Sequence, residues 1–130
     1  MSAREALQAA LVAHLKAAAP TAVYDAPPVR GGLPYLLVDE PVLAANDAAG
    51  LLGRFGTVSV QGRDAGERPA RLRLLVGLVE DVVEALPADL GAGGWRLGGL
   101  RLTRSRIARA KNNEWWAMSE FAVQVYRADS

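Results

Sequence analysis

Between Arg71 and Leu86 the sequence RLRLLVGLVEDVVEAL repeats its apolar positions at three- and four-residue steps. Leu72, Leu75, Val76, Val79, Val82, Val83 and Leu86 share one face of a helix with that period, while Leu74, Leu78 and Ala85 form a second flank. Only a narrow polar arc remains around Arg73, Gly77, Glu80 and Glu84, leaving more apolar surface than a helix on a single sheet needs. The charges run against the helix dipole, with Arg71 and Arg73 early and Glu80, Asp81 and Glu84 late. Tertiary packing must therefore hold this helix. Two arrangements absorb the surplus: burial within its own domain, and contact between the Leu74/Leu78 flank and another subunit.

Around this helix the other elements fall into order. Ser2-Ala3-Arg4-Glu5 has the spacing of a capping box and predicts a first helix running to about Ala18, ended by Pro20. Its packing face collects Leu7, Ala10, Leu11, His14 and Ala18, with Leu15 at the margin. A Pro- and Gly-rich passage to Pro34 holds a short strand at Val23-Tyr24-Asp25, and Tyr35 to Glu40 is a nearly continuous apolar strand, which implies burial on both faces. Val42 to Gly53, with Asn46, Asp47, Gly50 and Gly53, is expected to be a connection without regular structure. Phe55 to Gln61 alternates as a half-buried strand. The central helix starts at or shortly after Asp64, with Pro69 suited to its first turn.

After the turn-rich break from Pro87 to Gly94, Leu97 to Ala108 and Glu114 to Tyr126 form an antiparallel hairpin. In its last strand Trp115, Ala117, Ser119, Phe121, Val123 and Val125 line one side and Trp116, Met118, Glu120, Ala122, Gln124 and Tyr126 the other. Thirteen extended residues span about 43 Å, against a diameter of about 36 Å for a compact domain of this length. The hairpin is therefore expected to bend or project, and a projecting two-stranded arm needs a partner to cover it. The pattern amounts to an α+β fold over residues 1–130 as one domain: a mixed, mainly antiparallel sheet packed by two helices, with a long C-terminal β-hairpin.

Composition narrows the chemistry. The chain lacks cysteine and has one histidine, which excludes disulfides and thiol nucleophiles and speaks against a zinc site; no cofactor or metal is expected. A Ser/His/Asp arrangement would need His14, which the helical period places on a packing face. Asp39 and Glu40 are neighbours on a strand and so point to opposite faces. The glycines at 91–94 and 98–99 precede no Gly-Lys-Ser/Thr and suit turns. No apolar run is long enough for a membrane span, so the chain is expected to be soluble and unprocessed.

A net charge of +1 gives the whole chain no electrostatic footprint, yet Arg96, Arg101, Arg104, Arg106, Arg109 and Lys111 follow one another without an intervening acid. Strict alternation puts Arg101 and Arg109 on one face and Arg104 and Arg106 on the other, so the charge is expected to wrap the strand. Such a strand is either a solvated edge that resists aggregation or a surface for acidic partners and passing nucleic acid.

Tyr24-Asp25-Ala26-Pro27-Pro28, followed by Leu33-Pro34-Tyr35-Leu36-Leu37-Val38-Asp39-Glu40, resembles the tail terminator, or tail-completion, proteins of long-tailed phages and gene transfer agents. The order of elements is similar over nearly the whole chain. The family's alternating strand tends to carry a Trp and a Ser near its end, whereas this one ends Val60-Gln61-Gly62-Arg63, so that Trp has no counterpart here. The resemblance implies a non-enzymatic virion protein, made in the bacterial cytoplasm and built into the tail. It implies a homo-oligomer, usually a six-membered ring, that caps the head-proximal end of the tail tube, stops its polymerisation and meets the head-side connector, with DNA passing non-specifically through the lumen. Residues expected at subunit or tube contacts are Leu74, Leu78, Trp115 and Trp116, with Arg101, Arg104, Arg106, Arg109 and Lys111 toward the lumen or an acidic neighbour. Tyr24, Asp25, Pro27, Pro28, Pro34 and Tyr35 carry the motif, and Pro34 is expected to hold Leu33 extended and deliver Tyr35 into its strand. The competing expectation is a small α+β binding module or enzyme that holds an anionic ligand with its arginines.

Overall fold

The computed structural model describes residues 1–128. In chain order its elements are α1 (Ala3–Ala18), β1 (Ala22–Tyr24), β2 (Tyr35–Val38), β3 (Val42–Ala45), β4 (Leu51–Ala65), α2 (Ala70–Glu84), β5 (Arg96–Lys111) and β6 (Glu114–Ala128). The strands form one sheet in the order β1-β2-β4-β6-β5, with β3 also paired to β4. β1 and β2 run parallel and every other pair is antiparallel. This is the α+β architecture the sequence predicts, two helices and a C-terminal β-hairpin included.

α1 starts at the predicted capping box: Ser2 Oγ accepts from the Glu5 amide at 3.1 Å, and Glu5 Oε1 accepts from the Ser2 amide at 3.0 Å. Its buried residues are Ala3, Ala6, Leu7, Leu11 and Leu15, whereas His14 and Ala18 are exposed. The expected face was thus rotated. Ala10, Ala13 and Ala18 carry too little apolar area to choose a side, and the three leucines at four-residue steps decide it.

α2 buries Leu72, Leu75, Val79 and Val83, with Leu86 just beyond its end. It begins later than Asp64, which stays in β4, and Pro69 is the N-cap instead of lying in the first turn. Two of the three late acids have tertiary partners: Glu80 Oε2 accepts from Ser105 Oγ at 2.6 Å and Ser119 Oγ at 2.8 Å, and Glu84 Oε2 accepts from the Leu102 amide at 3.1 Å. The carboxylates that the dipole disfavours therefore fasten the helix to β5 and β6.

The largest departure lies at 42–65. The stretch expected to be irregular contains β3, and β4 runs for 15 residues. Two glycines that read as breakers permit this pairing: a Cβ at Gly53 would lie 2.2 Å from the Asn46 carbonyl oxygen, and one at Gly56 would lie 1.8 Å from that of Val42. β4 then pairs with β6 from Leu51↔Ala128 to Ala65↔Glu114. The hairpin is consequently no projecting two-stranded arm, since a third strand accompanies β6 throughout. Its tip is tied down by Gly66 N–H to the Asn113 carbonyl (2.7 Å) and Trp115 Nε1–H to the Gly66 carbonyl (3.0 Å).

Both helices lie on one face of the sheet. Leu36, Val38, Val58, Val60, Ala117, Phe121, Val123 and Val125 meet the apolar faces of α1 and α2 there in a single core. Trp95, 3% exposed, closes one end by donating Nε1–H to the Met1 carbonyl at 3.1 Å. Near the other end Asp64, 3% exposed, accepts from Arg71 Nε at 2.8 Å, from Arg71 Nη2 at 2.6 Å and from the Ala65 amide at 2.8 Å. The Arg71 hydrogen bonds hold its carboxyl below the usual aspartate range.

Candidate assembly surface

Among the described residues the chemistry-bearing side chains do not converge. His14 is exposed on α1, and among the described residues no three His, Cys, Asp or Glu come together as metal ligands. Asp39 accepts from Gln61 Nε2 at 2.8 and 3.0 Å, while Glu40 turns away to Arg4 at 3.0 Å. Among the described residues no helix is long and apolar enough to cross a membrane.

What the fold does assemble is a cationic surface. Residues directly opposite in an antiparallel pair share a face, so the partners of β5 on β6 sort its side chains. Leu97, Leu100, Leu102, Ser105, Ile107 and Arg109 oppose Val125, Val123, Phe121, Ser119, Ala117 and Trp115, on the helix side. Arg96, Arg101, Arg104, Arg106 and Lys111 oppose Tyr126, Ala122, Glu120, Met118 and Glu114, on the face that neither helix covers. The expected split of Arg101 from Arg104 and Arg106 is therefore wrong. Register shifts at Leu97/Gly99, Leu102/Arg104 and Arg109/Lys111 each insert one residue and reverse the alternation.

Arg101, Arg104 and Arg106 are exposed and form no ion pair among the described residues. Their neighbours in the row have weak partners: Arg96 with Asp89 at 3.9 Å and Lys111 with Glu114 at 3.5 Å. Arg63 on β4, opposite Trp116, adds a sixth cation to this face. Arg109 alone of the expected basic residues lies on the other side, with its guanidinium 4.4 Å from the Trp115 ring centroid.

The other expected contact residues are dispersed. Trp115 and Trp116 occupy opposite faces of β6, both half-buried, and Trp116 donates Nε1–H to Gln61 Oε1 at 2.9 Å. Leu74 is 78% exposed on α2 while Leu78 is half-buried, so the surplus flank reduces mainly to Leu74. Phe55 and Val42, at 49% and 71% exposure, add apolar surface on the open face that the sequence reading did not single out.

The motif residues shape the sheet edge. Tyr24 and Tyr35 meet edge to face with centroids 5.6 Å apart across the parallel β1–β2 pair. Thr21 Oγ1 donates to the Pro34 carbonyl, and the Leu33–Pro34 bond is cis. Asp25 and Pro27 are exposed in the loop that joins the two strands, and Pro28 packs close to Gly31.

No protein-family model matches the sequence. No curated protein matches it either. In three dimensions the chain is similar to one in the solved structure of the virion of a native gene transfer agent (GTA) particle, with a TM-score of 0.80 and 26% sequence identity. The similarity covers 97% of this chain and 99% of that one, so it concerns the whole architecture and not one motif.

Proposed function

We propose that this chain is a non-enzymatic structural protein of a virion, and within the virion a tail terminator. Its subunits form a closed ring of six on the head-proximal end of the tail tube, stop tube growth and offer the opposite face to the head-side connector. Assembly takes place in the bacterial cytoplasm and the product stays in the particle's tail. The observation that carries the reading is the end-to-end similarity to a chain of a gene transfer agent virion. The tail-terminator motif at 24–28 and 33–40 supplies the finer step.

Physical features agree with it. A closed ring requires a heterologous contact, two different surfaces of one subunit that fit each other. The helix layer offers Leu74, and the uncovered face offers Phe55 and Val42. The ionisable groups with resolved partners serve the fold, as Asp64 does with Arg71 and Glu80 with Ser105 and Ser119.

Electron microscopy of particles from cells lacking this chain tests the proposal. Overlong tubes and unjoined heads are expected, restored by the wild-type chain and not by Leu74→Asp. The Leu74→Asp chain itself should melt within about 0.5 kcal/mol of wild type, because the site is exposed. Normal-length tails joined to heads without the chain would refute the terminator role.

A further inference from the structure

We infer that the uncovered face of β5 is a binding ladder for the phosphate backbone of duplex DNA, brought into phase by three β-bulges. Without bulges, Arg96, Arg104 and Arg106 would face one way and Arg101 and Lys111 the other. Gly98, Thr103 and Ala110 are the extra residues at the three shifts. Each reverses the alternation just before the next odd- or even-numbered cation, and all five end on one face. One bulge could be a local accommodation of strand twist. Three that each keep the cations on the same side make the gathering of charge the common result.

The spacing suits a polyanion better than a folded acidic protein. Arg101, Arg104 and Arg106 oppose alternate residues of β6 and so stand about 6.8 Å apart. Duplex DNA carries a charge every ~1.7 Å of axis, so a row laid along one of its backbone ridges meets phosphates at any position on the duplex. A protein partner would need carboxylates set in matching register. Apolar surface meets the row at one end, where Phe55 on β4 and Arg101 line a groove over Ala122, while Arg104 and Arg106 stand beside Glu120 and Met118 of β6. Glu120, opposite Arg104, is the one carboxylate amid the central rungs and makes no ion pair with it among the described residues. It leaves the row strongly positive.

The biological setting, DNA passing through a tail ring, rests on the proposal above; the binding itself does not. Fluorescence anisotropy of a short random-sequence duplex, titrated with the full chain from roughly 50 to 200 mM salt, reads the contacts directly. Wild type should bind with an affinity that falls as salt rises. R101A/R104A/R106A should flatten the log–log slope by about 2.7, at about 0.9 per lost phosphate contact. K16A/R68A/R73A removes the same charge from the helical side and should change the slope by less than one contact. Deletion of Thr103 keeps every charge and leaves Arg101 and Arg104 two strand positions apart, on one face without a bulge, and should keep the wild-type slope; a circular dichroism melt reports whether that variant folds, and the arginine variants decide the matter if it does not.

Absence of salt-dependent binding by wild type, or equal slopes for the two triple variants, overturns the ladder. Tighter binding of poly-glutamate than of duplex under the same salt also overturns it, in favour of an acidic protein. Duplex binding by a chain whose loss leaves tails normal would remove the terminator and keep the ladder. The reverse result would remove only the ladder.

Discussion

Replacing Asp64 by Asn tests how the end of β4 is fastened to α2. The native carboxylate is 3% exposed and accepts three hydrogen bonds, two from a single guanidinium and one from its neighbouring amide. Arg71 is 60% exposed, so water screens the pair and the full cost of breaking a buried ion pair does not apply. Loss of one charge-assisted contact and a poorly satisfied buried amide should cost about 1–3 kcal/mol. For a chain of this length that is a fall of roughly 3–12 °C in Tm.

The pH dependence has a fixed sign. The folded carboxyl titrates below its unfolded value, about 3.9. Between the two values the unfolded chain binds more protons, so the pair's contribution is complete above the unfolded value and disappears as pH falls through the folded one. Urea unfolding followed by circular dichroism should therefore show a gap between wild type and Asp64→Asn that is constant near neutrality and shrinks below about pH 4. A gap unchanged down to pH 2, or none at pH 7, would refute the assignment of this stability to the ionised carboxylate.

Two further perturbations probe the sheet. Glu80→Ala leaves the buried Ser119 hydroxyl without its acceptor and should cost about 1–3 kcal/mol by urea unfolding; adding Ser119→Ala should recover part of the loss, and strict additivity would refute the coupling. Gly56→Ala forces a methyl against the Val42 carbonyl and should cost about 2–3 kcal/mol or detach β3, seen as rapid amide exchange at Leu43 to Ala45; native-like protection there would show that the backbone yields easily.

Part of the candidate surface was legible in the chain order and part was not. The acid-free run of basic residues is visible by inspection, but its faces are not, because a bulge exists only relative to a partner strand. Alternation read along β5 alone assigned Arg101 and Arg104 to opposite sides, and the pairing with Ala122 and Glu120 put them together. Leu74 was legible as surplus on the helical wheel. The exposed Val42 was not, since β3 was absent from the expected fold, whereas Phe55 falls with Thr57, Ser59 and Gln61 on the polar side of the expected alternation.

The sequence by itself determined the elements whose causes are local. The Ser2–Glu5 cap, the three-and-four period of α2, the apolar run of β2 and the alternation of β6 each depend on residues within a turn or two of one another. Tertiary structure alone decided which side of α1 is buried, because its alanines are indifferent and its leucines need a sheet to meet. It decided the length of β4, because Gly53 and Gly56 break an isolated strand yet fit one whose neighbour's backbone lies against them. It also decided the direction of every arginine on β5, because hydrogen-bond register between distant strands, and not the order of residues, sets which way each side chain points.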